Sequence, residues 1–207
     1  MKLPNHLTLA RLYLTFIFII LFSIDSVYTY YYGLVVFIIA AITDIYDGRL
    51  ARTYKMISKF GKIMDPVADK ILTCAGYIII VKSKIVNIPA IPVILILMRE
   101  FFITGLRTIK AGEGNIIAAN LSGKIKTTFQ FIALITILVI IVIKKWFLQF
   151  MPDFKYEFFY LIKEPLWLKY LFVFCNYAPV ILIYLAMITT IYSGYIYFRN
   201  YKDVFDG

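Results

Sequence analysis

The stretch TDIYDGRLARTYKMISKFGKIMDPVADK, residues 43–70, decides the fold because it places four aspartates between two long apolar segments. These aspartates are Asp44, Asp47, Asp65 and Asp69. Residues three or four apart share one face of a helix, so the first two form an acidic stripe near the end of one predicted helix. The last two form a second stripe at the start of the next helix, where Pro66 suits the first turn and Asp65 the N-cap position. Because the connecting loop is short, we expect the four carboxylates to face one cavity.

A metal site follows from the chemistry of these side chains. One aspartate at the bilayer centre costs about 2.5–3.5 kcal/mol, so the four must lie near the interface, point inward and be neutralised. Oxygen ligands with neither histidine nor cysteine nearby favour Mg²⁺ or Mn²⁺ over zinc. The number of carboxylates predicts two ions. The simpler interpretation is that Asp44 and Asp47 only form ion pairs with Arg49 and Arg52. It would account for one pair of aspartates, but it does not account for four aspartates at this spacing.

Small residues accompany the acidic stripe. Gly48 and Ala51 lie on its helix face and leave space for a ligand to approach the backbone. The guanidinium group of Arg52 matches the geometry of a phosphate. Carboxylates, divalent ions, small residues and an arginine together predict a diphosphate site, in which the metals bridge the acids to the anion.

The rest of the composition is that of an integral membrane protein. Hydrophobic residues make up 62% of the 207 residues, and the mean hydropathy is +0.82, whereas about half of a soluble chain is apolar. Six apolar segments have roughly the length that a membrane span needs. They cover about residues 8–24, 29–52, 66–82, 88–110, 123–150 and 166–199. We therefore predict one all-α domain over residues 1–207, with six transmembrane helices.

The distribution of charge predicts the orientation. An even number of spans puts both termini on one side, and most of the 22 lysines and arginines lie on that side. The cytoplasm is the side richer in these residues, so the termini and the aspartates are predicted to face it, in a multi-pass protein of the cell membrane. The net charge of +10 is explained by this bias and by anionic lipids, without nucleic acid.

The acidic segment resembles the signature of a known family. Its residues fit D-x2-D-G-x2-A-R-x8-G-x3-D-x3-D, which is similar to the signature of the CDP-alcohol phosphotransferase family. The resemblance implies that family's fold, usually as a homodimer, with a site where a CDP-linked lipid gives its phosphatidyl group to an alcohol and CMP leaves. It implies Asp44, Asp47, Asp65 and Asp69 as metal ligands, with Asp69 also the general base. It places Gly48, Ala51, Arg52 and Gly61 around the CDP group.

Three further segments narrow the resemblance to one branch of the family. PNHLTLARL at 4–12, REFFITGLR at 99–107 and GKIKTTFQ at 123–130 resemble the bacterial phosphatidylglycerophosphate synthases, whereas residues 144–170 carry no matching motif. The resemblance implies that CDP-diacylglycerol gives its phosphatidyl group to the 1-hydroxyl of glycerol 3-phosphate. Asn5 and Thr8 resemble positions near the nucleotide, although helix capping explains them equally well.

Cations in apolar segments support an acceptor that bears a phosphate. Arg99, Arg107 and Lys124 lie in or beside such segments, where a cation needs an anionic partner. We predict that they bind the acceptor phosphate. Lys110 and Lys126 are interpreted as flanking charges of the membrane spans, and Glu100 as the partner of a neighbouring cation.

The sequence is also compatible with other functions. Serine, inositol phosphate or phosphatidylglycerol could replace glycerol 3-phosphate as the acceptor within the same family. Membrane prenyltransferases also hold a diphosphate with two acidic clusters, but release pyrophosphate. A divalent-cation transporter is the alternative outside enzymes, since acids inside a membrane also mark ion pathways.

Overall fold

The computed structural model describes the backbone of residues 3–54, 59–112, 121–150 and 166–200. Within these ranges, some side chains lie outside the description. They are those of residues 3–8, 44–54, 59–66, 69, 109–112, 121–122, 124, 166–169, 172 and 200.

The described chain is entirely helical. Six helices follow one another: α1 Leu3–Ser23, α2 Val27–Tyr54, α3 Lys59–Lys82, α4 Ala90–Gly112, α5 Leu121–Phe150 and α6 Leu166–Asn200. Each of the six apolar segments predicted from the sequence falls on one of them, and the described ranges contain no strand. The prediction of an all-α fold is therefore confirmed.

One predicted boundary is wrong. The proline signal indicated that α3 would start at Pro66 with Asp65 as its N-cap, but α3 begins at Lys59 and both residues lie inside it. A proline removes one backbone hydrogen bond and crowds the preceding turn, which can kink a helix without ending it. The earlier start extends α3 by nearly two turns beyond the apolar segment.

The bundle is packed around large apolar side chains. α1 contacts α2 and α3, α2 also contacts α5, and α6 packs against α4 and α5. The rings of Phe18 and Phe37 lie 5.0 Å apart between α1 and α2. At Gly76 of α3, an added Cβ would lie 2.7 Å from Leu134 Cδ2 and 3.2 Å from Phe37 Cε2, so α3 approaches its neighbours closely at this point.

The outer surface of the bundle is apolar. Two helical segments, Ile125–Phe150 and Val173–Arg199, are long and apolar enough to cross a membrane. Large hydrophobic side chains are exposed on every helix, for example Tyr13 (70%), Ile91 (71%) and Tyr177 (66%). A surface of this kind is unfavourable in water but suited to lipid. These features are those of a membrane protein.

Contacts at the two ends show how successive helices run. Lys145 of α5 pairs with Asp25, which follows α1, at 2.5 Å, and Lys144 bonds to Asn176 of α6 at 2.8 Å. Toward the opposite end, Lys126, near the start of α5, contacts Glu100 of α4, and Gln130 of α5 contacts Thr190, in the last third of α6. Lys70 and Glu100, each at the middle of its helix, join α3 to α4. Successive helices therefore run in opposite directions. The end of α2 and the start of α3 lie at the Glu100 end of the bundle.

Candidate functional site

The four aspartates lie on two consecutive helices at one end of the bundle. Asp44 and Asp47 belong to the last three turns of α2, and Asp65 and Asp69 to the first three turns of α3. The helical spacing assumed for each pair is therefore present. Their side chains are outside the described residues, so the shared metal site stays a prediction. Among the side chains that are described, no three acids, histidines or cysteines form a group that could hold a metal.

The predicted CDP-binding residues lie at the same end. Gly48, Ala51 and Arg52 follow the first aspartates on α2, and Gly61 lies in the first turn of α3. Asn5 and Thr8 belong to the first two turns of α1, which packs against α2 and α3. The side chains of these residues are outside the described part, and so is that of Lys124 near the start of α5.

Arg99 is held between α4 and α6. Its Nη2 donates to Ser193 Oγ at 3.0 Å, and its Nη1 lies 3.4 Å from Glu100 Oε1. The side chain is only 14% exposed. Its stem packs against Gly194, where an added Cβ would lie 3.3 Å from both Cγ and Nε of the arginine. Arg99 is therefore a fixed cation, and its side chain fits because Gly194 has no side chain of its own.

Arg107 lies about two turns further along α4, on the same side as Arg99. Its guanidinium carbon is 5.7 Å from the centroid of the Tyr197 ring on α6, close enough for a cation–π contact. The Nε atoms of both arginines are buried, and neither has a hydrogen-bond partner among the described residues. The cleft between α4 and α6 thus holds two cations, each with an N–H donor that an anion could satisfy.

Glu100 is the centre of a buried polar cluster. Lys70 Nζ donates to its Oε2 at 2.5 Å, Lys126 Nζ donates to Oε1, and Gln130 Nε2 lies 3.3 Å from Oε1. Gln130 also contacts Thr190 Oγ1 of α6 at 2.7 Å. We call Lys70, Arg99, Glu100, Lys126 and Gln130 the Glu100 cluster. It joins α3, α4 and α5 to α6.

The cluster tests two interpretations of the sequence. Glu100 was expected to pair with a neighbouring cation, and this is confirmed. Lys126 was interpreted as a flanking charge, and this is wrong, because the residue is only 4% exposed and its ammonium group is bound to Glu100. Sequence reasoning also missed Lys70 and Gln130. Lys126 and Gln130 lie one turn apart, in phase with the buried residues of α5, and that phase was the available signal.

An apolar cavity of about 560 Å³ lies beside the cluster, between α1, α3 and α4. Its α3 wall includes Val67, Lys70 and Ile71, and its α4 wall includes Phe101 and Thr104. The volume falls within the range of small-molecule and cofactor sites. A mainly apolar cavity with a cation at its side can take an amphipathic ligand.

The family model of CDP-alcohol phosphatidyltransferase matches residues 1–154. This is well over half of the chain, which therefore belongs to that family. The matched region contains every residue assigned above to the metal, CDP or acceptor sites.

Three curated relatives to which the chain is similar are named for one particular activity. The CDP-diacylglycerol–glycerol-3-phosphate 3-phosphatidyltransferase of Bacillus subtilis is 42% identical over 149 residues, 66% of this chain and 76% of its own length. The Rickettsia typhi protein of the same name is 39% identical over 133 residues, which cover 64% of this chain and 74% of the relative. The Haemophilus influenzae protein of that name is 38% identical over 135 residues, covering 64% and 73%.

Proposed function

We propose that this protein transfers the phosphatidyl group of CDP-diacylglycerol to the 1-hydroxyl of glycerol 3-phosphate. The products are phosphatidylglycerophosphate and CMP. The observation that carries this proposal is the similarity to relatives named for that reaction, at about 40% identity over two thirds of the chain. The similarity extends beyond the acidic signature, because the family match also includes α4 and the start of α5, where the basic residues lie.

The donor set fits a hard divalent cation, because it consists of carboxylates on two adjoining helix ends. Asp44, Asp47, Asp65 and Asp69 would hold two ions per subunit, Mg²⁺ or Mn²⁺. When bound, such ions neutralise the diphosphate of the lipid substrate and stabilise the negative charge that develops on departing CMP. Gly48, Ala51, Arg52 and Gly61 leave room for the CDP group and bind it, together with Asn5 and Thr8.

The acceptor is bound through its phosphate. Arg99 and Arg107 offer fixed guanidinium groups on the α4–α6 cleft, each with a buried Nε donor, and Lys124 belongs to the neighbouring start of α5. Hydrogen bonds between a guanidinium and a phosphate are charge-assisted and directional, so they orient the acceptor as well as bind it.

The transfer requires one nucleophilic displacement. The 1-hydroxyl oxygen of glycerol 3-phosphate bonds to the phosphorus attached to diacylglycerol, and the bond from that phosphorus to the bridging oxygen breaks. CMP leaves with the electron pair. Asp69 accepts the hydroxyl proton, a role for which a carboxylate within reach of the nucleophile is sufficient. No covalent enzyme intermediate is needed.

The membrane arrangement is part of the proposal. All six helices span the cell membrane, with both termini and the site on the cytoplasmic side, where Lys and Arg are concentrated. The lipid tails stay among apolar side chains while the headgroup enters the polar end. The active form is a homodimer of single-domain subunits.

An acceptor panel tests the proposed function. Purified protein in detergent receives CDP-diacylglycerol, a divalent ion and one acceptor at a time, and CMP release is measured. Glycerol 3-phosphate should give CMP and phosphatidylglycerophosphate in equal amounts, and serine, inositol phosphate and phosphatidylglycerol should give background rates. Faster release with another acceptor would reassign the substrate, while absence of CMP with every acceptor would contradict an enzyme of this family.

A further inference from the structure

Among the side chains that the structure describes, those of the Glu100 cluster are not electrically balanced. One carboxylate accepts contacts from three cations, Lys70, Arg99 and Lys126, all of them largely buried. At the opposite end of the bundle, the ion pair of Lys145 with Asp25 joins one cation to one exposed carboxylate. A buried ion pair kept only for folding needs no surplus charge, because uncompensated buried charge is unfavourable. The surplus in the Glu100 cluster therefore indicates that an anion joins it during function.

Each cation of the cluster comes from a segment with a proposed role. Lys70 directly follows Asp69 in α3, Arg99 is a proposed ligand of the acceptor phosphate, and Lys126 lies two residues after Lys124. Glu100 is thus the common partner of cations from the metal-bearing helix and from both acceptor segments. Its own orientation is supported by Gln130, which links Glu100 Oε1 to Thr190 of α6.

We propose that Glu100 is a positioning residue for phosphatidyl transfer, which fixes the cations that bind the acceptor phosphate. The inference rests on the proposed function. Glu100 holds Arg99 from one side while Ser193 holds it from the other, so the guanidinium plane has one orientation. It also prevents Lys126 from turning toward the bilayer surface, where a long cationic side chain otherwise extends.

Loss of the carboxylate has two opposing effects on the acceptor. Removing a negative charge raises the local positive potential, which favours an anion. It also releases the cations from their fixed positions, and the strength of phosphate binding depends on aligned, charge-assisted hydrogen bonds. The second effect dominates because the donors must be aligned before the acceptor hydroxyl can attack.

The test compares Glu100→Gln and Glu100→Asp with wild type in purified, detergent-solubilised protein. Glu100→Gln keeps the shape of the side chain and removes its charge. It should raise the KM for glycerol 3-phosphate about tenfold, the lower end of what loss of the partner that orients a metal ligand costs in metal sites. The KM for CDP-diacylglycerol should stay within about twofold of wild type, because a binding defect confined to one substrate changes one KM. Glu100→Asp keeps the charge and should recover most of the acceptor affinity.

Asp25→Asn is the matched control, since it removes a paired carboxylate from the opposite end of the bundle and should change neither KM. A folded Glu100→Gln with an unaltered or lower KM for glycerol 3-phosphate would overturn the positioning role. So would equal rises in both KM values. If Glu100→Gln does not fold, Glu100→Gln/Lys126→Met, which removes one buried charge of each sign, is compared with Lys126→Met alone in its place. An acceptor KM higher in the double variant than in Lys126→Met supports the proposal, and equal KM values overturn it.

The proposed function can fail separately. Wild-type protein that released no CMP with glycerol 3-phosphate would contradict the reaction itself, whatever the variants do. Wild-type activity together with an unaffected Glu100→Gln contradicts only the role of Glu100.

Discussion

The guanidinium carbon of Arg107 lies 5.7 Å from the centre of the Tyr197 ring, which holds an arginine of α4 against α6. Arg107→Ala should raise the KM for glycerol 3-phosphate at least about tenfold, since a hydrogen bond to a charged group contributes about 1.5–3 kcal/mol. The KM for CDP-diacylglycerol should change much less. Initial rates of CMP release, with each substrate varied in turn, measure both values.

Lys145 provides a matched control for Arg107. Its Nζ also lies 5.7 Å from the centre of a tyrosine ring, that of Tyr30, but at the opposite end of the bundle. Lys145→Ala removes an equal charge and a similar contact, and both KM values should stay at wild type. A larger effect of Arg107→Ala on CDP-diacylglycerol than on glycerol 3-phosphate would contradict the acceptor assignment.

Gly194 leaves the space that the Arg99 side chain occupies. In Gly194→Ala, the new Cβ would lie 3.3 Å from Cγ and Nε of Arg99, so the arginine must move by a few tenths of an ångström. We expect a several-fold rise in the KM for glycerol 3-phosphate, because small displacements of a positioning group reduce catalysis strongly. Gly105→Ala on α4 is the control, since its Cβ would meet nothing within 4 Å. Indistinguishable kinetics of the two variants would show that the position of Arg99 is not critical.

Gly76 is required for packing. A Cβ at this position would lie 2.7 Å from Leu134 Cδ2, and Leu134 and Phe37 are both fully buried. Gly76→Val should therefore lower the free energy of unfolding by about 1–3 kcal/mol, the usual effect of overpacking. Thermal unfolding in detergent measures this as a fall of roughly 2–4 °C per kcal/mol. Gly105→Val, which enters open space, should unfold close to wild type, and an equal fall in both would contradict the packing account.

The sequence predicted the helices better than the polar cluster. Runs of apolar residues about as long as a membrane span specify a helix directly, because a backbone in lipid must satisfy its own hydrogen bonds. Lys126 was wrongly interpreted as a flanking charge because its position near the edge of an apolar segment does not show whether its side chain faces the bundle or the surface. The phase of α5 does, since Lys126 and Gln130 continue the buried stripe of Ile137 and Ile141.

The partners of Glu100 could not be read from local sequence. Lys70 and Lys126 come from different helices, 30 and 26 residues away, and only the packing of α3 and α5 against α4 brings them together. The start of α3 was missed for a different reason, because the proline signal at residue 66 outweighed helix-compatible residues before it. Patterns within one helix are thus predictable, whereas contacts between helices require the assembled bundle.

Asp69 is proposed as the general base as well as a metal ligand. Asp69→Asn should reduce transfer of labelled glycerol 3-phosphate by at least about 10²-fold, the lower end of the usual contribution of a general base. The thermal midpoint should stay near that of wild type. Asp25→Asn makes the same chemical change at the opposite end of the bundle and should retain full activity. Wild-type rates for Asp69→Asn would remove that residue from the mechanism.

The central claim is that the aspartates of α2 and α3 together hold the ions that carry phosphatidyl transfer. The most direct measurement is the number of Mn²⁺ ions bound per subunit. Electron paramagnetic resonance counts these ions in the same samples that are assayed for CMP release. We predict two ions in wild type, and loss of bound Mn²⁺ together with activity in both Asp44→Asn and Asp69→Asn. Unchanged Mn²⁺ binding in both variants, or full CMP release after all divalent ions have been chelated, would contradict the account.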